Sequence, residues 1–233
     1  ESHLNKGNLL DFCNLLRRVD AAGVILLNRV SEEGLNQIRV IAPLVQCCEY
    51  NEHADYPYVS IDDSRAAELA TEYFLSNGGS KIALINGPGN FKYARKRQEG
   101  FMNALRKAEV MIPKQWIVQL PEVSYEMAYA AVCRLLNSDS RPNAFFTISD
   151  VFAAAVIRAA KRFHLHVPRD ILVVGFDNIE LSSMTSPSIT TVNQPKFQMG
   201  YTACEMLLEL IEDPQEEMKS LLLDTELVIR EST

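Results

Sequence analysis

No stretch of this 233-residue sequence stays apolar for the ~20 residues that a bilayer-spanning helix needs. The opening, Glu-Ser-His-Leu-Asn-Lys-Gly, lacks the charged-then-apolar order of a secretory signal. A cytoplasmic chain, or a piece of one, with no membrane partner is therefore expected. Positive charge is also in deficit: 23 Lys and Arg stand against 30 Asp and Glu, for a net charge of −7. Gripping nucleic acid requires a basic patch that neutralises phosphates, and Lys81, Lys92, Arg95, Lys96 and Arg97 are too few to supply one. The five cysteines form no Cys-x-x-Cys pair and are odd in number, which excludes the usual zinc spacing and a paired disulfide framework. Adjacent Cys47 and Cys48 invite a redox reading, but within the apolar run Leu44 to Cys48 they read as buried strand cysteines. His3, His53, His164 and His166 show no ligand spacing and read as surface residues. Gly87-Pro-Gly-Asn lacks the Gly-Lys-Ser/Thr ending of a phosphate loop. With no nucleophile beside a base, the expectation is a protein that is not an enzyme and needs no metal or cofactor.

What is present is a core. Hydrophobic residues make up 47% of the chain and charged ones 23%, enough interior for one large or two small domains. Short runs rich in Val and Ile alternate with stretches of helical period, the pattern of parallel sheets covered by helices. Strands are expected at Gly23 to Leu27, Leu44 to Cys48, Tyr58 to Ile61, Lys81 to Asn86, Trp116 to Leu120, Ala144 to Ile148, Ile171 to Gly175, Ile189 to Val192 and Leu221 to Ile229. Helices are expected between most of them, one opening at Asp62 or Asp63 and stopping at Gly78-Gly79, another from Tyr93 to Ala108, and a third opened by Ser149 or Asp150. Gly78-Gly79 and Gln194-Pro195 interrupt the pattern without a long loop and read as crossovers between two lobes.

Several motifs recur in a fixed order: Ile61-Asp-Asp63, Gly78-Gly-Ser-Lys-Ile-Ala-Leu-Ile-Asn-Gly-Pro88, Arg97-Gln-Glu-Gly-Phe101, Ser149-Asp150, Val167-Pro-Arg-Asp-Ile-Leu-Val-Val-Gly-Phe-Asp-Asn178 and Thr190-Thr-Val-Asn-Gln-Pro195. In this order and spacing, from Tyr58 to Thr233, the sequence resembles the LacI/GalR family of transcription regulators. The resemblance implies an α/β, periplasmic-binding-protein-like fold: two Rossmann-like lobes with parallel sheets, joined by three crossovers, the third near Leu221. On that basis the lobes comprise 1–78 with 195–220, and 79–194 with 221–233. The first lobe is expected to be truncated at its N-terminus, and the family's helix-turn-helix domain to be absent. The implied partners are a small-molecule effector (a nucleoside or a sugar) held in the interlobe cleft, operator DNA reached through the absent domain, and a second copy in a homodimer. The closing patterns Gly-Phe-Asp-Asn-Ile-Glu-Leu and Leu-Val-Ile-Arg-Glu-Ser-Thr most resemble the cytidine-responsive branch, which implies a nucleoside. A periplasmic solute-binding protein serving a transporter shares the fold and is the alternative.

Open parallel sheets take ligands beyond the carboxyl ends of their strands, which directs attention to residues just after strands. Asp177 is expected to accept hydrogen bonds from ligand hydroxyls rather than from its own turn. Arg97, at the family's spacing from Gly100-Phe101, offers a planar fork to the same ligand, whereas Lys92, Arg95 and Lys96 read as solvated. Asp63 serves equally well as ligand contact or helix cap, and Gln194 as cleft residue or hinge. Phe146 either stacks on a ligand ring or fills the core. Tyr93 matches a variable cleft position. Ser149 stands where the family often has Asn or Gly, and Asp150 reads as a helix cap.

Overall fold

The computed structural model describes residues 6–213 and 219–233. His3 and the part of the expected first-lobe segment at 214–218 lie outside them. The chain opens with α1 (Lys6–Arg18), β1 (Val24–Leu26), α2 (Glu32–Arg39), β2 (Leu44–Cys47) and β3 (Tyr58–Ile61). It continues through α3 (Asp63–Ser76), β4 (Ile82–Asn86), α4 (Lys92–Lys107), β5 (Ile117–Gln119), α5 (Tyr125–Leu136), β6 (Ala144–Thr147) and α6 (Asp150–Arg162). Then come β7 (Leu172–Asp177), the short α7 (Leu181–Met184), β8 (Thr190–Asn193), α8 (Lys196–Glu212), β9 (Leu221–Leu223) and β10 (Glu226–Val228). The alternation anticipated from periodicity holds except where β2 leads directly to β3 and β9 to β10.

Two compact units emerge, Glu1–Asp62 with Pro195–Asp224, and Asp63–Gln194 with Thr225–Thr233. The first contains a sheet ordered β1-β2-β3-β9, parallel at every pairing. Leu9, Cys13 and Leu16 of α1 and Leu35 and Ile38 of α2 form one buried cluster with Val24, Leu26 and Leu44. α8 packs on β1, β2 and β3, burying Met199, Ala203 and Met206. The i, i+4, i+7 spacing of these three residues is what gives α8 a single apolar face.

The second unit contains a sheet ordered β10-β8-β7-β6-β4-β5, parallel except for β10, which runs antiparallel to β8. β4 and β6 are buried along their whole length, as strands covered on both faces must be, and this is why their sequences are runs rather than alternations.

The division into units departs from the expected boundaries in two places. α3 belongs to the second unit, so the first transfer falls ahead of Asp63 and not at Gly78-Gly79. The reason is close packing of α3 on α4: a Cβ on Gly100 would overlap the Ser64 carbonyl oxygen. The closing segment, expected as one strand from Leu221 to Ile229, is two strands lying in different sheets, β9 beside β3 and β10 beside β8.

Candidate functional site

In the second unit, β4, β6, β7 and β8 end side by side on one edge of the sheet, and the residues that follow them converge there. Asn86 closes β4: its amide nitrogen donates to the Ala94 carbonyl at 3.1 Å and to Gln98 Oε1 at 3.0 Å, and its Oδ1 accepts from Gly87 N at 2.9 Å. These bonds tie the start of α4 to the strand edge and so place Arg97, one turn into the helix.

Arg97 is buried. Its Nε donates to Asp63 Oδ1 at 2.9 Å, while Nη1 donates to the Ile148 carbonyl at 2.7 Å and, at 3.4 Å, to Asp177 Oδ1. The guanidinium lies over the Phe176 ring, 3.5 Å from its centroid, and 5.0 Å from the centroid of Tyr93, both within cation–π range. Burial pulls the Arg97 pKa down, but Asp63 and Asp177 more than offset it, and the net direction is upward. Arg97 is thus a fixed cation, held from behind by Asp63 and facing Asp177.

Asp63 was expected as a ligand contact or a helix cap. It is buried, and both of its oxygens meet cations: Oδ1 takes Arg97, and Oδ2 takes Lys92 Nζ at 2.8 Å. Burial raises its pKa, yet Arg97 and Lys92 outweigh burial and hold the carboxyl below its ordinary value. Lys92, read from sequence as solvated, is only 1% exposed. A cation in the first turn of a helix opposes the helix dipole, and Asp63 supplies the compensating charge. No local signal marks this pair, whose members are 29 residues apart.

Asp177 ends β7 in a left-handed conformation, φ 99, followed by Asn178 at φ 48. Non-glycine residues seldom occupy that region, and two in succession persist only when their surroundings hold them. Asp150 supplies part of that hold, accepting from Ile179 N at 2.8 Å and from Thr191 Oγ1 at 2.6 Å. Arg230 Nη2 supplies another, donating to Asn178 Oδ1 at 2.8 Å. The effect is to turn Asp177 outward: its side chain is 30% exposed, against 5% for Arg97. Gln194 Nε2 donates to Asp177 Oδ1 at 2.6 Å.

Of the seven expected residues, the structure brings Asp63, Tyr93, Arg97, Asp177 and Gln194 together. Tyr93, Asp177 and Gln194 are partly exposed, whereas Asp63 and Arg97 are the buried support. Phe146 is fully buried and stacks on Phe101 with centroids 6.1 Å apart, so it is a core residue. The Ser149 hydroxyl accepts from Phe152 N at 3.3 Å as the cap of α6, the role expected of Ser149 or Asp150. Phe176 and Arg230 lie within the sequence motifs but are not singled out by them, because their contacts with Arg97 and Asn178 arise only in the folded chain. Among the described residues no group of three or more His, Cys, Asp and Glu could hold a metal ion.

Chemically, the exposed edge offers a carboxylate acceptor, a carboxamide and a phenol ring. Behind it lie two cations, Lys92 and Arg97, and one carboxylate, Asp63, and with Asp177 the four charges balance.

Comparison with known proteins is consistent across sequence and structure. A family profile described as a periplasmic binding protein-like domain matches residues 71–233. The chain is similar to the HTH-type transcriptional repressor CytR of Escherichia coli (strain K12), 33% identical over 224 residues that cover 95% of this chain and 65% of that protein. It is also similar to the HTH-type transcriptional repressor PurR of Proteus mirabilis (strain HI4320), 32% identical over 98% of this chain and 72% of that protein. A LacI family transcriptional regulator from Enterococcus faecium with bound ribose superposes with a TM-score of 0.83 at 28% identity, over 96% of this chain and 83% of that one. The chain therefore spans 65% of the length of the CytR it matches.

Proposed function

The chain belongs to the periplasmic binding protein-like domain family, in its group of LacI-type transcription regulators, and from this we propose that it is the effector-sensing part of a repressor. In this reading the second unit takes a small polyhydroxy molecule, a nucleoside such as cytidine or a sugar, at the carboxyl edge of its sheet. Binding alters DNA recognition by the full-length homodimer in the cytoplasm, through a domain outside this chain. Catalysis has no part in it.

The observation that carries the reading is Asp177, a partly exposed carboxylate presented from a strained strand end and steadied by Gln194 and Arg97. A carboxylate accepts two hydrogen bonds from adjacent ribose or pyranose hydroxyls. Asp177 and the three charges behind it, Asp63, Lys92 and Arg97, sum to zero, which favours an uncharged ligand over a phosphate. An effector shifts the regulator between states only by its differential affinity for them.

Titration calorimetry of the intact protein with cytidine, adenosine, purine bases and a panel of sugars tests this. Binding heat is expected from one neutral polyhydroxy ligand. Asp177→Ala should weaken that ligand roughly 10- to 100-fold, the loss of one or two hydrogen bonds to a charged group. Silence across the whole panel would refute the proposal. The likeness to two repressors, rather than a transporter's receptor, is what favours regulation over solute uptake.

A further inference from the structure

The first unit carries two adjacent thiols at the carboxyl end of β2. Successive strand residues point to opposite faces of a sheet, so neighbouring cysteines in a continuing strand hold their sulfurs apart. Here the strand stops at Cys47, and Cys48 takes a left-handed backbone with φ 71, a conformation costly for a residue other than glycine. That turn brings the two Sγ atoms within 3.8 Å. Backbone bonds hold it in place: Cys48 N donates to the Val59 carbonyl at 2.9 Å, and the Cys48 carbonyl accepts from Ser60 Oγ at 2.7 Å. Cys47 is buried, with Sγ 3.8 Å from the Met199 carbonyl, but Cys48 is exposed, contrary to the expectation of two buried strand cysteines. The bond from the Cys48 thiol lowers the Cys47 pKa, against the opposing pull of burial. Thiolate is the form of cysteine that attacks.

We propose that Cys47 and Cys48 are a modification site, a dithiol that a two-electron oxidant such as hydrogen peroxide closes reversibly to a vicinal disulfide. Exposed Cys48 meets the oxidant: its sulfur attacks one peroxide oxygen, the O–O bond breaks, and hydroxide leaves as Cys48 becomes a sulfenic acid. Cys47 then attacks Cys48 Sγ, forming the S–S bond and expelling the sulfenic oxygen as a second hydroxide. The two protons given up by the thiols convert both hydroxides to water. Two thiols and one peroxide yield one disulfide and two waters.

Adjacent Cα atoms are ~3.8 Å apart, short of the ~4.4–6.8 Å that an ordinary disulfide spans. The closed form is accordingly strained and easily reduced, which makes it a reporter of oxidant and not a structural staple. Drawing the sulfurs to bonding distance also pulls on the bonds from Cys48 to Val59 and Ser60, and these fasten the end of β2 to β3.

The test uses the full chain carrying Cys133→Ser and Cys204→Ser, which leaves the pair and the buried Cys13. After peroxide the intact mass should fall by two hydrogens, and after alkylation and digestion one peptide should contain linked Cys47 and Cys48, both changes reversed by dithiothreitol. Cys48→Ser should abolish the linkage while keeping the native circular dichroism spectrum, and Cys47→Ser should leave Cys48 as a sulfenic acid trapped by dimedone. Exchange of the Cys48 amide should rise about tenfold in the oxidised protein as its bond to Val59 loosens. Thiols that remain alkylatable after peroxide, cysteines that run on to sulfinic acids, or Cys48 joined to a second chain would each overturn the assignment.

Discussion

Asp63 sits between Arg97 and Lys92, and its environment sets both its charge and its value to the fold. Removing it takes from two buried cations, Arg97 and Lys92, the carboxylate they share. Breaking a buried ion pair from one side costs about 3–5 kcal/mol, so Asp63→Ala should lower stability in urea by that order. Lys92→Met leaves Asp63 with Arg97 and should cost less, about 1–3 kcal/mol. Equal losses would show that the two cations are not organised by the one carboxylate. The same carboxyl predicts a response to acid. Its folded pKa is depressed by Arg97 and Lys92 despite burial, below an unfolded value of ~3.9. The stabilisation is thus complete above about pH 4 and is lost as pH falls through the folded value. Urea midpoints measured between neutral pH and strong acid should fall below that point, and Asp63→Asn should flatten the fall. Parallel curves for the two proteins would contradict the linkage.

Gly100 lets α4 approach α3 so closely that no side chain fits against Ser64. Gly100→Ala must push the helices apart, and overpacking of this kind costs about 1–3 kcal/mol. A melting temperature unchanged by the substitution would mean that the contact is slack. Strands such as Ile82–Asn86 and Ala144–Thr147 were plain, because burial on both faces writes itself as an apolar run. α2 passed unremarked, though Ser31 caps it and Glu32 and Glu33 open it. Eight residues give too little period to separate from a loop. β9 and β10 merge into one expected strand because only Asp224, Thr225 and Glu226 separate the apolar runs Leu221–Leu223 and Leu227–Ile229. At the site, Asp177, Arg97 and Gln194 were legible through ordered motifs, whereas Lys92 was not. Its role depends on a partner that only the folded chain brings near.

For the whole molecule, ligand binding and folding are linked. A ligand that binds only the native state stabilises it by RT ln(1 + [L]/Kd), about 2.7 kcal/mol at a hundredfold excess over Kd. Melting curves of the intact protein with rising cytidine, adenosine or ribose should therefore shift upward continuously with the logarithm of concentration for the true effector. A melting point indifferent to all three would remove them from consideration. Under the proposed effector-sensing role, the turn at Asp177 and Asn178 decides which positions could be altered to make a biosensor. Its unusual backbone is secured by buried Asp150 and Thr191 and by half-buried Arg230, so those positions are scaffold and tolerate little experiment. Tyr93 is partly exposed, its ring beside Arg97, and a mutant library confined to it would vary the face offered to a ligand while Gln194 keeps Asp177 where it is.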